Sequence, residues 1–97
     1  MHMVIRKFRS MQQVAEAARR AETGLGPILK RQPGFKAYYI FAMPEGGGGS
    51  VSLFETADAA RAANDQALGW IRENLADLAG DAAPEVWIGE VLGTVTA

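Results

Sequence analysis

The sequence has no cysteine and a single histidine, His2. Disulfides and thiolate metal sites are therefore out of reach, and one histidine near the terminus cannot complete a Ser-His-Asp relay. Neither sign of charge dominates: Lys and Arg number 10, Asp and Glu 11, for a net charge of -1. A nucleic-acid binder concentrates basic residues on one face, and no such excess is present, so nucleic acid is not an expected partner. No apolar run is long enough to cross a bilayer, and no charged stretch leads into an apolar leader segment. The expected compartment is the cytoplasm, with no membrane partner. Asp58, Asp65, Glu73 and Asp77 are spread along one predicted helix as a solvated face, so no metal is expected.

What is present is ordinary globular material, 48% apolar and 22% charged over 97 residues, a length that suits one small domain spanning 1–97. Residues 3–9, MVIRKFR, read as a strand. Ser10 and Gln13 match a capping box that starts a helix, followed by an apolar stripe at Met11, Val14, Ala18, Ala21, Leu25 and Ile28. Gly24, Gly26 and Pro27 predict a kink or break over 23–27, and QPG at 32–34 ends the helix. Strands are predicted over 35–43 and 50–56. Thr56 or Asp58 caps a second helix whose seam is Ala60, Ala63, Asn64, Ala67, Ile71, Leu75 and Leu78, with Gly80 as its stop. Pro84 precedes a last strand over 85–95.

The order β-α-β-β-α-β predicts an α+β, ferredoxin-like fold: a four-stranded antiparallel sheet with both helices on one face. The run EGGGGS, 45–50, lies between two strands. It cannot be a phosphate loop, which must feed a helix, nor a domain linker, since each flanking strand needs the other; it reads as a flexible hairpin connection. In the second strand Phe35, Ala37, Tyr39, Phe41 and Met43 share one side and Tyr38, Ile40 and Ala42 the other. An edge strand apolar on both sides needs a cover, and the expected cover is a second copy, giving a homodimer.

RQPGFKAYYIF at 31–41, SVSLFETADAARAAND at 50–65, a tryptophan-bearing helix and PEVWIGEV at 84–91 together resemble the antibiotic-biosynthesis-monooxygenase superfamily, whose members are dimeric α/β barrels. The resemblance spans nearly the whole chain. It implies either a cofactor-independent monooxygenase acting on a small aromatic or polyketide-like substrate, or a non-catalytic barrel that binds a small ligand or serves another enzyme. No cofactor is expected in either case. Where the family's polyketide enzymes carry Asn and Trp on the third strand, this chain has Ser50 and Phe54. The haem-degrading branch needs a histidine late in the second helix, which here holds Asn64, Trp70 and Asn74 but no histidine.

The candidate ligand-binding residues are Tyr38, Tyr39, Ser50, Phe54, Asn64, Trp70 and Trp87. Asn64 sits on the apolar seam, where an unpaired amide costs about 1–3 kcal/mol; it is either a pocket donor or a buried amide satisfied locally. Tyr38 and Tyr39 point to opposite faces, so only one can reach a pocket on the helix side. Trp87 shares its face with Gly89, Val91 and Gly93, which leaves room beside the indole for a partner or a ligand. Arg6, Lys7 and Arg9 read as solvated basic residues, with anion binding as the alternative.

Overall fold

Strand β1, His2–Phe8, alternates strictly, with Val4, Arg6 and Phe8 buried on one side. The structure, a computed structural model, describes residues 1–80 and 83–97. After β1 come α1 (Val14–Arg20), a π-helical turn (Ala21–Leu25) and α2 (Gly26–Arg31). Strands β2 (Phe35–Ala42) and β3 (Gly48–Phe54) follow, then α3 (Ala57–Asn74), α4 (Ala76–Ala79) and β4 (Glu85–Glu90). The strands form one antiparallel sheet in the order β2-β3-β1-β4, as the ferredoxin-like expectation requires.

The α3 seam is buried at every predicted position from Ala60 to Leu78, Asn64 included. Ala60, Ala63 and Ala67 are small enough to let α3 lie close on the sheet, where they pack with Val4, Phe54, Leu25 and Leu29. A second cluster joins Phe8 and Ala17 to Ile71, Leu75 and Leu78, and Trp70 packs against both. The Thr56 hydroxyl accepts from the Ala59 amide at 3.1 Å and caps α3. Helix α3 stops at Asn74, earlier than the sequence suggests. Arg20 takes the Asn74 carbonyl at 3.1 Å while its guanidinium holds Asp77 at 2.8 Å and Glu16 at 2.8 Å. Gly80, at φ 68°, then ends α4.

Both carboxylates held by Arg20 titrate low: Glu16 is pulled from 4.5 to about 2 by its bonds to Arg19 and Arg20, and Asp77 is lowered chiefly by its bond to Arg20. A depressed carboxylate stabilises the fold above its ordinary value and loses that contribution as pH falls. Stability therefore declines from pH 4.5 toward about 2. In Arg20→Met both carboxylates titrate closer to normal, so the fall in melting temperature across that window is expected to be shallower than in the wild type.

The first helix departs from its expectation in two ways. Ser10 makes no cap; the helix begins at Val14, after Gln13 in the left-handed region at φ 51°. The segment is held instead by the Gln12 amide donating to the Leu78 carbonyl at 3.1 Å, with Met11 packed against the second cluster. A left-handed backbone costs a residue with a side chain about 1–2 kcal/mol. Gln13→Gly is accordingly expected to raise unfolding stability by about 0.5–1 kcal/mol in urea titration, after the entropic cost of glycine. The break expected over 23–27 is a π turn, in which the Gly26 amide bonds to the Ala21 carbonyl. The chain thus stays helical through Pro27, whose ring removes one donor.

The hairpin is also not as expected. Glycines 48 and 49 belong to β3, paired with Phe8 and Lys7 on one side and Ala42 and Phe41 on the other. The turn is confined to 43–47, closed by the Met43 amide on the Gly47 carbonyl at 3.1 Å. A Cβ on Gly47 would lie 2.5 Å from the Phe8 carbonyl oxygen, and that residue has φ 82°, so the run is shaped by close packing. Phe35 changes sides relative to the parity expectation. A bulge at Lys36 turns it toward the helices, where it meets Phe54 edge-on at 5.8 Å. Strand β4 ends at Glu90, not 95, where its ladder with β1 reaches His2; the Val91 amide then bonds to the Met1 carbonyl at 2.9 Å. Leu92 and Val95 follow, 90% and 99% exposed.

On the face away from the helices, Met3, Ile5, Val51 and Leu53 share the sheet with Ala37, Tyr39, Phe41 and Trp87. Tyr39 is 62% exposed and Trp87 48%. No helix among the described residues is long and apolar enough to cross a membrane.

Candidate functional site

Small residues face one another between α1 and the sheet: Ala17, Ala18 and Ala21 on the helix, Gly48 and Ser50 on β3. Elements held apart by the larger side chains around them cannot close over such a stretch, and a slot remains. It is narrow, with about 40 Å3 of room for water-sized spheres, and it opens to solvent at the mouth. Phe8, Met11, Ile71 and Leu75 make most of the remaining wall apolar, while Tyr38 and Ser50 bring hydroxyls. Gly48 sets the approach of α1: a Cβ there would lie 3.2 Å from Val14 Cγ1 and 2.7 Å from the Phe41 carbonyl oxygen.

Beside that polar part of the wall lies Arg6, opposite Ser50 in the β1–β3 ladder and only 1% exposed. Its Nη1 donates to Asn64 Oδ1 at 2.8 Å and its Nη2 to Ser52 Oγ at 3.0 Å. The buried Nε has no partner. No carboxylate pairs with Arg6 among the described residues. Burial lowers the Arg6 pKa, opposed by Tyr38; burial raises the Tyr38 pKa, opposed by Arg6 and by Ser50. The phenol is therefore a neutral donor near neutral pH, and the charge beside it is uncompensated.

The seven sequence candidates separate into three groups. Tyr38 and Ser50 line the slot, and Asn64 orients Arg6 next to them. Phe54 is fully buried core against Phe35, and Trp70 lies over Gly24, whose missing Cβ would be 2.7 Å from the indole. Tyr39 and Trp87 are on the opposite face of the sheet. Of the basic residues, Lys7 is exposed and Arg9 pairs with Glu85 at 2.8 Å in solvent, as expected. Arg6 overturns the solvated expectation because Val4, Arg6 and Phe8 share the helix-facing side of β1. That period of two, together with an amide at Asn64 on an otherwise apolar seam, was the available sign of a buried polar pair. Among the described residues no cluster of three or more His, Asp or Glu side chains is placed to hold a metal ion.

No family model matches the sequence, and no curated protein matches it. Solved structures share the fold over almost the full length. A protein of unknown function from Nitrosomonas europaea matches with a TM-score of 0.75 at 18% identity, covering 99% of this chain and 92% of that one. A variant of SnoaB, a cofactor-independent oxygenase from Streptomyces nogalater, matches at 0.73 and 18% identity, over 99% and 97%. A Streptomyces coelicolor monooxygenase in complex with nanaomycin D matches at 0.70 and 18%, over 99% and 90%. A dimeric ferredoxin-like protein from an uncultured marine organism has the same arrangement, at 0.63 and 13%, over 99% and 96%. At such identities the likeness is one of fold.

Proposed function

We propose that the chain is one domain that pairs with a second copy in the cytoplasm, binds a planar aromatic or polyketide-like molecule in its slot, and oxygenates it without a cofactor. The observation that carries this reading is the character of the slot, apolar along its walls and bordered by Tyr38 and Ser50; at about 40 Å3 it must widen between α1 and the sheet to take a ring. Two of the solved structures with this fold are described as a cofactor-independent oxygenase and a monooxygenase, the second in complex with nanaomycin D. The chemistry suits such a site. An activated ring methylene gives up a proton to water at the mouth of the slot, the resulting anion adds O2 at carbon, the peroxide takes a proton back, and loss of water leaves a carbonyl, so that CH2 and O2 become C=O and H2O. The protein has only to bind the ring, exclude bulk water and donate hydrogen bonds to the anionic oxygen, which Tyr38 and Ser50 are placed to do.

Pairing is supported by the apolar outer face of the sheet and by the dimeric protein of the same fold. Sedimentation at micromolar concentration is expected to give a dimer for the wild type and a monomer for Val51→Glu. A wild-type monomer would remove the cover proposed for that face. For the activity, oxygen uptake is measured with a panel of anthrones and hydroxyquinones, wild type against Tyr38→Phe. Turnover that falls about tenfold or more in the variant supports the reading; no uptake with any substrate defeats it. The second reading, a non-catalytic ligand-binding barrel, is favoured by one observation. Phe54, at the position where the resembling polyketide enzymes carry a pocket tryptophan, is fully buried in the core and presents no donor. Binding of the same molecules without uptake would select it.

A further inference from the structure

Arg6 has no task in the chemistry above, and its surroundings give it one. A guanidinium carries five N–H donors. Here two are taken by Asn64 and Ser52, neutral acceptors that fix its orientation and cancel none of its charge. The Nε donor is buried and unbonded. The groups facing it come from three sides: Tyr38 from β2, Ser50 and Ser52 from β3, and Asn64 from α3, while its β4 neighbour is Val86. Tyr38 is the one titratable group among them, and burial keeps its proton on. A positive charge in a low-dielectric interior is therefore left without an anion among the described residues, beside Ser50 and Tyr38, the two hydroxyl-bearing residues in the wall of an apolar slot.

We propose that Arg6 makes the slot selective for a planar apolar molecule carrying one negatively charged oxygen, a phenolate or a carboxylate, held at the end formed by Tyr38 and Ser50. This rests on the slot being a ligand site, as proposed above. Arg6 acts through the wall hydroxyls and is a positioning residue. The neutral parts of the ligand lie along the alanines and Ile71, and the anionic oxygen accepts from the hydroxyls that the guanidinium polarises. The charge thus decides which molecules are retained, while the walls decide their shape.

Binding of two matched pairs to the intact protein tests this: ionised 4-nitro-1-naphthol against neutral 1-methoxy-4-nitronaphthalene, and 1-naphthoate against 1-naphthamide. The wild type is expected to prefer the anion of at least one pair by about tenfold or more, equivalent to one unit of pKa; which pair responds separates phenolate from carboxylate. In Arg6→Met the preference disappears while binding of the neutral member persists, and Arg6→Lys retains part of it. Circular dichroism confirms that the variants are folded. A second measurement needs no variant: the absorbance of bound 4-nitro-1-naphthol is titrated, and its pKa is expected to fall by about one unit from the free value. Equal affinity for charged and neutral members, a preference that survives Arg6→Met, or a bound pKa that does not fall overturns the role of Arg6 alone. Failure of all four molecules to bind overturns the slot as a ligand site and this inference with it.

Discussion

Gly49→Val is expected to destabilise the protein by about 3 kcal/mol, measured as the shift in the urea unfolding midpoint at unchanged slope. Gly49 sits inside β3 between Lys7 and Phe41. A Cβ on it would collide with the Arg6 carbonyl oxygen and lie 2.7 Å from Cζ of the Phe41 ring. The first obstacle is backbone of the central strand β1 and cannot swing aside. The second can move only by giving up the packing of Phe41 across the strand. A larger group must therefore separate β3 from β1 at the level of Arg6, and the slot is expected to lose ligand affinity together with stability. A variant as stable as the wild type would mean that residues 48 and 49 are loop, as their composition suggests, and not strand.

Phe54→Ala is expected to cost about 3–5 kcal/mol, the range for deleting a buried aromatic ring. Phe54 is fully buried, stacks edge-on with Phe35 at 5.8 Å and touches the alanine seam of α3. Those alanines cannot expand to fill the space, so most of the cavity persists. The measurement also decides between two roles for the position. A residue that lined the slot would lose affinity at little cost to folding. A core residue loses stability first, and slot affinity at a temperature well below the melting point stays close to that of the wild type.

How far the fold could be read from the sequence depended on whether one periodicity governed a segment. The burial of the seam was legible because alanines, Asn64, Ile71 and leucines recur at helical spacing for about five turns, and Thr56, one of two caps expected, starts the helix, although its end at Asn74 was not foreseen. Strand order followed from connection rules that leave few alternatives. Phe35 was misplaced because strict alternation cannot foresee a bulge; at the bulge Lys36 leaves the ladder, and its ammonium meets Glu55 at 2.9 Å in solvent. Ser10 fitted a capping box by type and spacing, but the contact between Gln12 and Leu78 that displaces it joins residues far apart in sequence. The candidate site was half legible. Parity told that only one of Tyr38 and Tyr39 could face the helices, not which, and Asn64 stood out as polar on an apolar seam. Arg6 escaped because a basic residue in a strand is usually solvated, and only the fold shows that its alternation brings it to Asn64 at 2.8 Å.

The π turn at Ala21–Leu25 has a genetic consequence. Such a turn holds one residue more than a regular helix would, so an in-frame deletion of a single codon within it leaves a continuous α-helix and not a broken one. Because the wider turn already absorbs the extra residue, Val14–Arg20 and Gly26–Arg31 keep nearly their present orientation after the deletion, and Ala17 and Ala18 stay on the slot wall. The codon best lost is that of Glu22 or Thr23, both exposed, since Ala21 and Leu25 line the slot. The turn is therefore a place where descendants of this sequence could change in length by one residue while the wall of the slot stays as it is.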